Sequence, residues 1–232
     1  FLFTDIEGST DRWEHDPAGM RAALARHDEL VTASVSAAGG HAFKQVGDAF
    51  QAAFATAPAA LEAAVSAQRA LVRGPWGEGG ALRVGMALHT GEAEPRRGDY
   101  LAPCLNRLAR LLSAGHGGQI LLTEVTARLT RESVPPGVRL RDLGTHRLRD
   151  LLQPEHVFQA AIDGLAADFP PLRTLEGHPH NLPRALTPLI GRDEDVVPGD
   201  RILTSGIAEL HETGTGTRPE ASYPRGLPVG LV

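Results

Sequence analysis

The sequence predicts an α+β domain, with a mixed or antiparallel sheet covered by helices. Apolar residues recur at helical spacing in several segments, and short apolar runs with strand character lie between them. A Gly47-Asp48 turn joins two of those runs as a hairpin. A hairpin interrupting the alternation of strands and helices argues against a doubly wound parallel sheet.

Phe1 to Thr4 reads as a short buried strand. The segment after Gly8-Ser9-Thr10 is helical in pattern. A longer helix is expected from about Pro17 to Ala38, with Met20, Leu24, Leu30 and Val31 roughly at helical spacing. Gly39-Gly40 ends it, as glycine commonly does past a helix C-terminus. His41 to Val46 and Ala49 to Phe54 are the hairpin strands. Ala57 to Val72 is an amphipathic helix marked by Leu61, Val65, Gln68 and Leu71. Ala81 to His89 reads as a strand, and Tyr100 to Ala114 as a helix with a Leu105, Leu108, Leu112 stripe. Gln119 to Leu122 is a strand, Glu124 to Leu129 a helical turn, and Val138 to Leu143 and His156 to Ala161 are late strands.

After Ile162 the periodicity stops. Residues 1–162 are expected to form the folded domain, 163–192 a Pro-rich linker, and 193–232 a poorly ordered tail containing Thr213-Gly214-Thr215-Gly216-Thr217. The chain lacks an initiator Met and starts inside a strand, so it reads as a fragment or an incomplete gene model.

Composition narrows the function classes. The 232 residues are 42% apolar, enough for one good-sized core plus a tail. The net charge of −5 argues against a general grip on nucleic-acid phosphates. No apolar run approaches bilayer-spanning length, and the first residues given do not show a basic segment followed by an apolar one. One cysteine, Cys104, cannot form an internal disulfide, which fits the reducing cytoplasm. Of the 23 Lys and Arg residues only Lys44 is a lysine. A compact ammonium on a flexible stem is not interchangeable with a planar guanidinium, which singles out that position.

Several residues are able to carry chemistry. Asp5 follows a buried strand, which lifts its carboxylate to the end of a sheet, and Asp48 sits in the hairpin turn. Two such carboxylates suit Mg²⁺, a hard cation that usually takes one or two oxygen ligands from protein. Taken alone, Asp48 is equally ordinary turn chemistry. Asn106 and Arg110 lie four apart on one helix face, suited to a phosphate or a ribose, or simply to solvent. Lys44 precedes Asp48 by four residues, and Asp99 precedes Asn106 by seven.

The segments FLFTDIEGST, KQVGDAFQAAF, LHTGEA and GDYLAPCLNRLAR together resemble the catalytic domain of class III nucleotidyl cyclases. The resemblance covers about residues 1–162 and is nearest to an actinobacterial type whose cyclase domain precedes a signal-transduction ATPase. It implies a ferredoxin-like α+β fold and a homodimer with shared active sites, acting on ATP with two Mg²⁺ or Mn²⁺ per site. Asp5 and Asp48 match the metal-binding aspartates, with the backbone carbonyl of Ile6 as a further ligand. Lys44 and Asp99 match the pair that reads adenine. Asn106 matches the ribose-orienting residue and Arg110 the residue that stabilises the α-phosphate. Each site is expected to take Asp5 and Asp48 from one protomer and the other four from its partner.

Two departures stand out. Where the resemblance implies a triphosphate-binding arginine the chain has Gly85, Arg83 two residues earlier on the same strand face is not relied on to replace it, and Ala87 stands where glycine is usual. Leu189-Ile190-Gly191-Arg192 resembles the entrance to an ATPase, yet no GxxxxGK[ST] loop follows, because the only lysine is Lys44. An active adenylate cyclase is therefore weighed against a weakly active nucleotide-binding regulatory module. Lys44 and Asp99 argue against a guanylate cyclase.

Overall fold

In chain order the elements begin with β1 (Leu2–Ile6), α1 (Ser9–His15), α2 (Pro17–Ala37), β2 (His41–Val46), β3 (Ala49–Ala53), α3 (Ala57–Arg73) and β4 (Val84–Leu88). They continue with β5 (Glu94–Arg96), β6 (Asp99–Leu101), α4 (Pro103–Ala114), β7 (Ile120–Thr123), α5 (Glu124–Thr130), a short 3₁₀ turn, β8 (Val138–His146) and β9 (Glu155–Ile162). The structure, a computed structural model, describes residues 1–74, 76 and 80–175. Leu189 to Arg192 and the expected tail lie outside the described residues.

Seven strands form one sheet in the order β2-β3-β1-β4-β7-β9-β8. β4 and β7 run parallel, and the other neighbours are antiparallel. This is the mixed sheet that the sequence predicts, with the hairpin at one edge. Helices cover both faces. Val31 of α2 and Leu61 and Leu71 of α3 pack with Leu2, Ile6, Val84, Met86 and Leu88. Leu108 and Leu111 of α4 pack with Phe3, Ala87, Leu121 and Val157 on the other face.

Strand alternation sorts these residues. In β1, Leu2 and Ile6 face α2 and α3, so Phe3 and Asp5 face the α4 side. In β4, Gly85 and Ala87 share that side. A Cβ at Gly85 would stand 3.3 Å from the His116 carbonyl oxygen, so the backbone after α4 lies directly on the strand. Small residues at 85 and 87 let the layers close.

Helix ends follow local chemistry. Pro17 opens α2, and the Asp16 carboxylate accepts from the Gly19 N–H at 2.9 Å. Thr56 caps α3 in the same way, accepting from the Ala59 N–H at 3.3 Å.

Two expectations change. The helix expected from Tyr100 begins at Pro103, and residues 99–101 instead form β6, paired with β5. Pro103 disfavours a helical conformation in the residue before it, and Ala102 is extended. The connecting Arg97-Gly98 has φ of 52° and 81°, the two left-handed residues that a tight hairpin turn requires. Second, the stretch read as the start of a linker has no secondary structure but is not free of the domain. Leu172 is buried beside Leu108, Leu111 and Leu148, and Thr174 is buried as well.

Leu172→Ala is expected to destabilise the protein by about 2 kcal/mol or more, the usual range for emptying a buried leucine site. Urea unfolding checks this, and an unchanged midpoint would place residue 172 outside the cooperative unit.

Candidate active site

Two carboxylates meet where β1 ends beside the β2–β3 turn. The register places Thr4 opposite Phe50, so the chain leaving β1 passes the turn. Gly47 adopts φ 62°, which a side chain would strain, and this turns Asp48 back toward β1. The Ile6 N–H donates to Asp48 Oδ2 at 3.2 Å. The Asp5 carboxyl is pushed above its ordinary pKa, first by burial and then by the negative charge of Asp48, with the Ile6 N–H acting in the opposite direction. Two acids crowded in this way carry more negative charge than their surroundings balance, and that fits a hard divalent cation. Among the described residues no group of three or more His, Cys, Asp or Glu side chains is placed to hold a metal.

A separate cleft of about 530 Å³ lies between β2, β6 and α4, lined by Lys44, Asp99 and Asn106 among others. Lys44 Nζ donates to Asp99 Oδ2 at 2.6 Å, joining residues 55 positions apart. Tyr100 brings β6 here. Its ring packs edge-on against Phe43 at 4.9 Å and Phe1 at 5.3 Å. Asp99 thus lands beside Lys44, the neighbour of Phe43. The Lys44 hydrogen bond holds the Asp99 carboxyl below its ordinary pKa, helped by the Tyr100 N–H at 2.7 Å. Both side chains are about two-fifths exposed, so the pair adds little to stability. A donor and an acceptor at the mouth of a cleft suit a heteroaromatic edge better than they suit the fold.

Asn106 lines this cleft from α4, and its side chain makes no hydrogen bond among the described residues. Arg110, one turn further on, does not line the cleft and pairs with Asp150 at 3.0 Å. Neither Asp5 nor Asp48 lines it either. Within one chain the predicted residues therefore fall into two groups. Asp5, Ile6 and Asp48 gather at the β1 end, Lys44, Asp99 and Asn106 gather in the cleft, and Arg110 stands at its border.

Arg83 is already engaged. Its Nη1 lies 3.3 Å from Glu7 Oε2 and its Nη2 donates to the Gly117 carbonyl at 3.2 Å. Residues not singled out from the sequence do much of the positioning: Phe43 and Tyr100 for Asp99, Asp150 for Arg110, and Glu7 beside the carboxylates. The adjacency of Phe43 to Lys44 and of Tyr100 to Asp99 was a usable signal. No local pattern marked Asp150.

The chain is 37% identical over 194 residues to an uncharacterized protein of Mycobacterium tuberculosis, covering 82% of this chain and 66% of the relative. It is 28% identical over 272 residues to the adenylate cyclase of Schizosaccharomyces pombe, covering 95% of this chain and 16% of that enzyme. The solved structure of an adenylate cyclase from Trypanosoma brucei superposes with a TM-score of 0.66 at 25% identity, covering 74% of this chain and 91% of that one. No family model matches. The chain has the α+β fold of the class III nucleotidyl cyclase domains. It spans less than two thirds of the mycobacterial relative and a small part of the yeast enzyme. No helix among the described residues is long and apolar enough to cross a membrane.

The raised pKa of Asp5 gives a signed expectation. The folded state binds that proton more tightly than the unfolded chain does. The associated stability is present at acid pH and is lost as pH rises through the folded pKa. In metal-free buffer at pH 7, Asp5→Asn is therefore expected to unfold at a higher temperature than wild type, and Mn²⁺ is expected to stabilise wild type but not the variant. Calorimetry checks both, and an Asp5→Asn protein that Mn²⁺ stabilises as strongly as wild type would contradict the assignment.

Proposed function

We propose that this chain is an adenylate cyclase domain that converts ATP to 3′,5′-cyclic AMP and pyrophosphate as a homodimer with shared sites. The observation that carries the reading is the Lys44–Asp99 pair beside Asn106 in one cleft, apart from the Asp5–Asp48 pair. Each group alone is half of a nucleotide site. A second copy of the chain would supply the missing half to each, as a two-fold dimer does reciprocally. Exposed Val46 by the turn and Leu101 by the cleft offer apolar surface for that association.

In this reading Lys44 donates to a ring nitrogen of adenine and Asp99 accepts from the exocyclic amine. A guanine edge would leave both groups mismatched. Asn106 orients the ribose so that its 3′-oxygen faces the α-phosphorus. The new bond joins that oxygen to phosphorus, and the bond to the bridging oxygen of pyrophosphate breaks. Pyrophosphate leaves with the electron pair, and the hydroxyl proton passes to solvent. Arg110 exchanges Asp150 for the α-phosphate and supplies fixed positive charge where negative charge grows. Asp5, Asp48 and the Ile6 carbonyl would hold Mg²⁺ or Mn²⁺, which would supply charge neutralisation and a more acidic hydroxyl.

One observation favours a slower enzyme or a regulatory module. Gly85 stands where the phosphate-binding arginine is expected, a Cβ there would crowd the His116 carbonyl oxygen at 3.3 Å, and Arg83 is tied to Glu7 and Gly117. Turnover separates the two readings.

Purified protein with MnATP is expected to release cyclic AMP, and Asp48→Ala and Arg110→Ala are each expected to lose about a hundredfold or more in rate. A wild-type protein that binds ATP without forming product would favour the regulatory reading. The K44E/D99C variant is expected to shift the rate ratio from ATP toward GTP. An unchanged ratio would contradict the purine-reading assignment.

A further inference from the structure

Residues 169–175 run as a strap along α4 and the loop that follows it, and reach Glu7 just past the end of β1. The Phe169 ring stacks on His116 at 6.5 Å, and a ring nitrogen of His116 lies 3.1 Å from the Pro171 carbonyl oxygen. Leu172 is buried against α4. The Arg173 N–H donates to the carbonyl of Ala114, the last residue of α4, at 2.9 Å. The Leu175 N–H donates to the Arg147 carbonyl at 3.2 Å, in the loop that presents Asp150 to Arg110.

A further contact reaches the residue that follows Asp5 and Ile6. Arg173 Nη2 donates to Glu7 Oε1 at 2.7 Å across 166 residues. Glu7 directly follows Asp5 and Ile6. Its other oxygen faces Arg83, and its N–H donates to the Arg83 carbonyl at 2.8 Å. Gly117 leaves the room: a Cβ there would stand 2.8 Å from the Glu7 Cβ and 2.6 Å from the Arg83 Cβ. Glu7 is thus fixed from three sides, by backbone pairing, close packing and two guanidinium groups. Of these only Arg173 belongs to the strap. Backbone bonds and the buried Leu172 set where its side chain starts.

We propose that Arg173 is a positioning residue which, through Glu7, fixes the backbone that presents Asp5 and the Ile6 carbonyl. The strap thereby couples the carboxylate pair to the chain that continues past Leu175. This rests on the cyclase reading only for the identity of what the loop binds. The mechanical claim is separate. Arg173 touches no reacting group, so its removal alters the placement of the carboxylates and leaves their chemistry intact.

The test uses the full chain as wild type, Arg173→Ala, Arg173→Lys, Glu7→Gln and the Glu7→Gln/Arg173→Ala double variant. Amide hydrogen exchange over residues 2–12 needs no activity. Arg173→Ala is expected to speed exchange there several-fold with the unfolding temperature nearly unchanged, since its side chain is half exposed. The double variant is expected to add little to Glu7→Gln, and Arg173→Lys to restore most of the protection. In the cyclase assay, Arg173→Ala is expected to raise the Mn²⁺ concentration for half-maximal rate about tenfold, the lower end of what indirect support of a metal ligand contributes. The rate at saturating Mn²⁺ is expected to stay close to wild type. Unchanged exchange over residues 2–12 would overturn the proposal even if the wild type makes cyclic AMP. Changed exchange would support it even if the wild type makes none.

Discussion

The antiparallel pairing of β1 with β3 decides where the chemistry of this domain lies. Leu2 opposite Ala52 and Thr4 opposite Phe50 bring the end of β1 to the β2–β3 turn, and the Ile6 N–H reaches Asp48 from there. A slip of one residue would exchange the two faces of β1. Ile6 would leave the core, and Asp5 would point into the face that α2 and α3 cover. The buried leucines that fix the register therefore also fix the carboxylates. The price of that placement is visible in Asp5, whose carboxyl is held above its ordinary pKa by burial and by Asp48.

The cleft between β2, β6 and α4 depends on a different constraint. Asp99 reaches Lys44 because an aromatic cluster of Phe1, Phe43 and Tyr100 fastens the two-stranded β5–β6 ribbon to β2. The hairpin thus serves both halves, with Lys44 on its first strand and Asp48 in its turn. Four residues of sequence separate Lys44 from Asp48, yet neither Asp48 nor Asp5 lines the cleft. That separation gives a second copy of the chain a chemical purpose in the proposed function.

Much of this was legible in the sequence where one local rule dominates. The α3 stripe of Leu61, Val65 and Leu71 and the Gly47-Asp48 turn appear as expected, because helical periodicity and turn chemistry act over a few residues. The expected α4 start was wrong by three residues, because an apolar period was extended past Pro103, the residue that sets the boundary. The strap was illegible for another reason. Extended chain has no period of its own, and the burial of Leu172 arises only from helix α4 and the β8–β9 loop, which come together in space. Among site residues, Lys44 and Asp99 were paired by resemblance, whereas no sequence pattern announced the Arg110–Asp150 contact, made by a residue with φ 59° in the β8–β9 loop.

The account stands on the claim that two chains complete each other's half-sites. The most direct measurement mixes two inactive variants, Asp48→Ala and Arg110→Ala, and follows cyclic AMP formation from MnATP. A mixed dimer contains one site with both lesions and one with neither. The account predicts that the mixture recovers activity which neither variant has alone, approaching about a quarter of wild type if subunits exchange freely in the two-fold arrangement. A mixture as inactive as its components, in protein shown to exchange subunits, would contradict it.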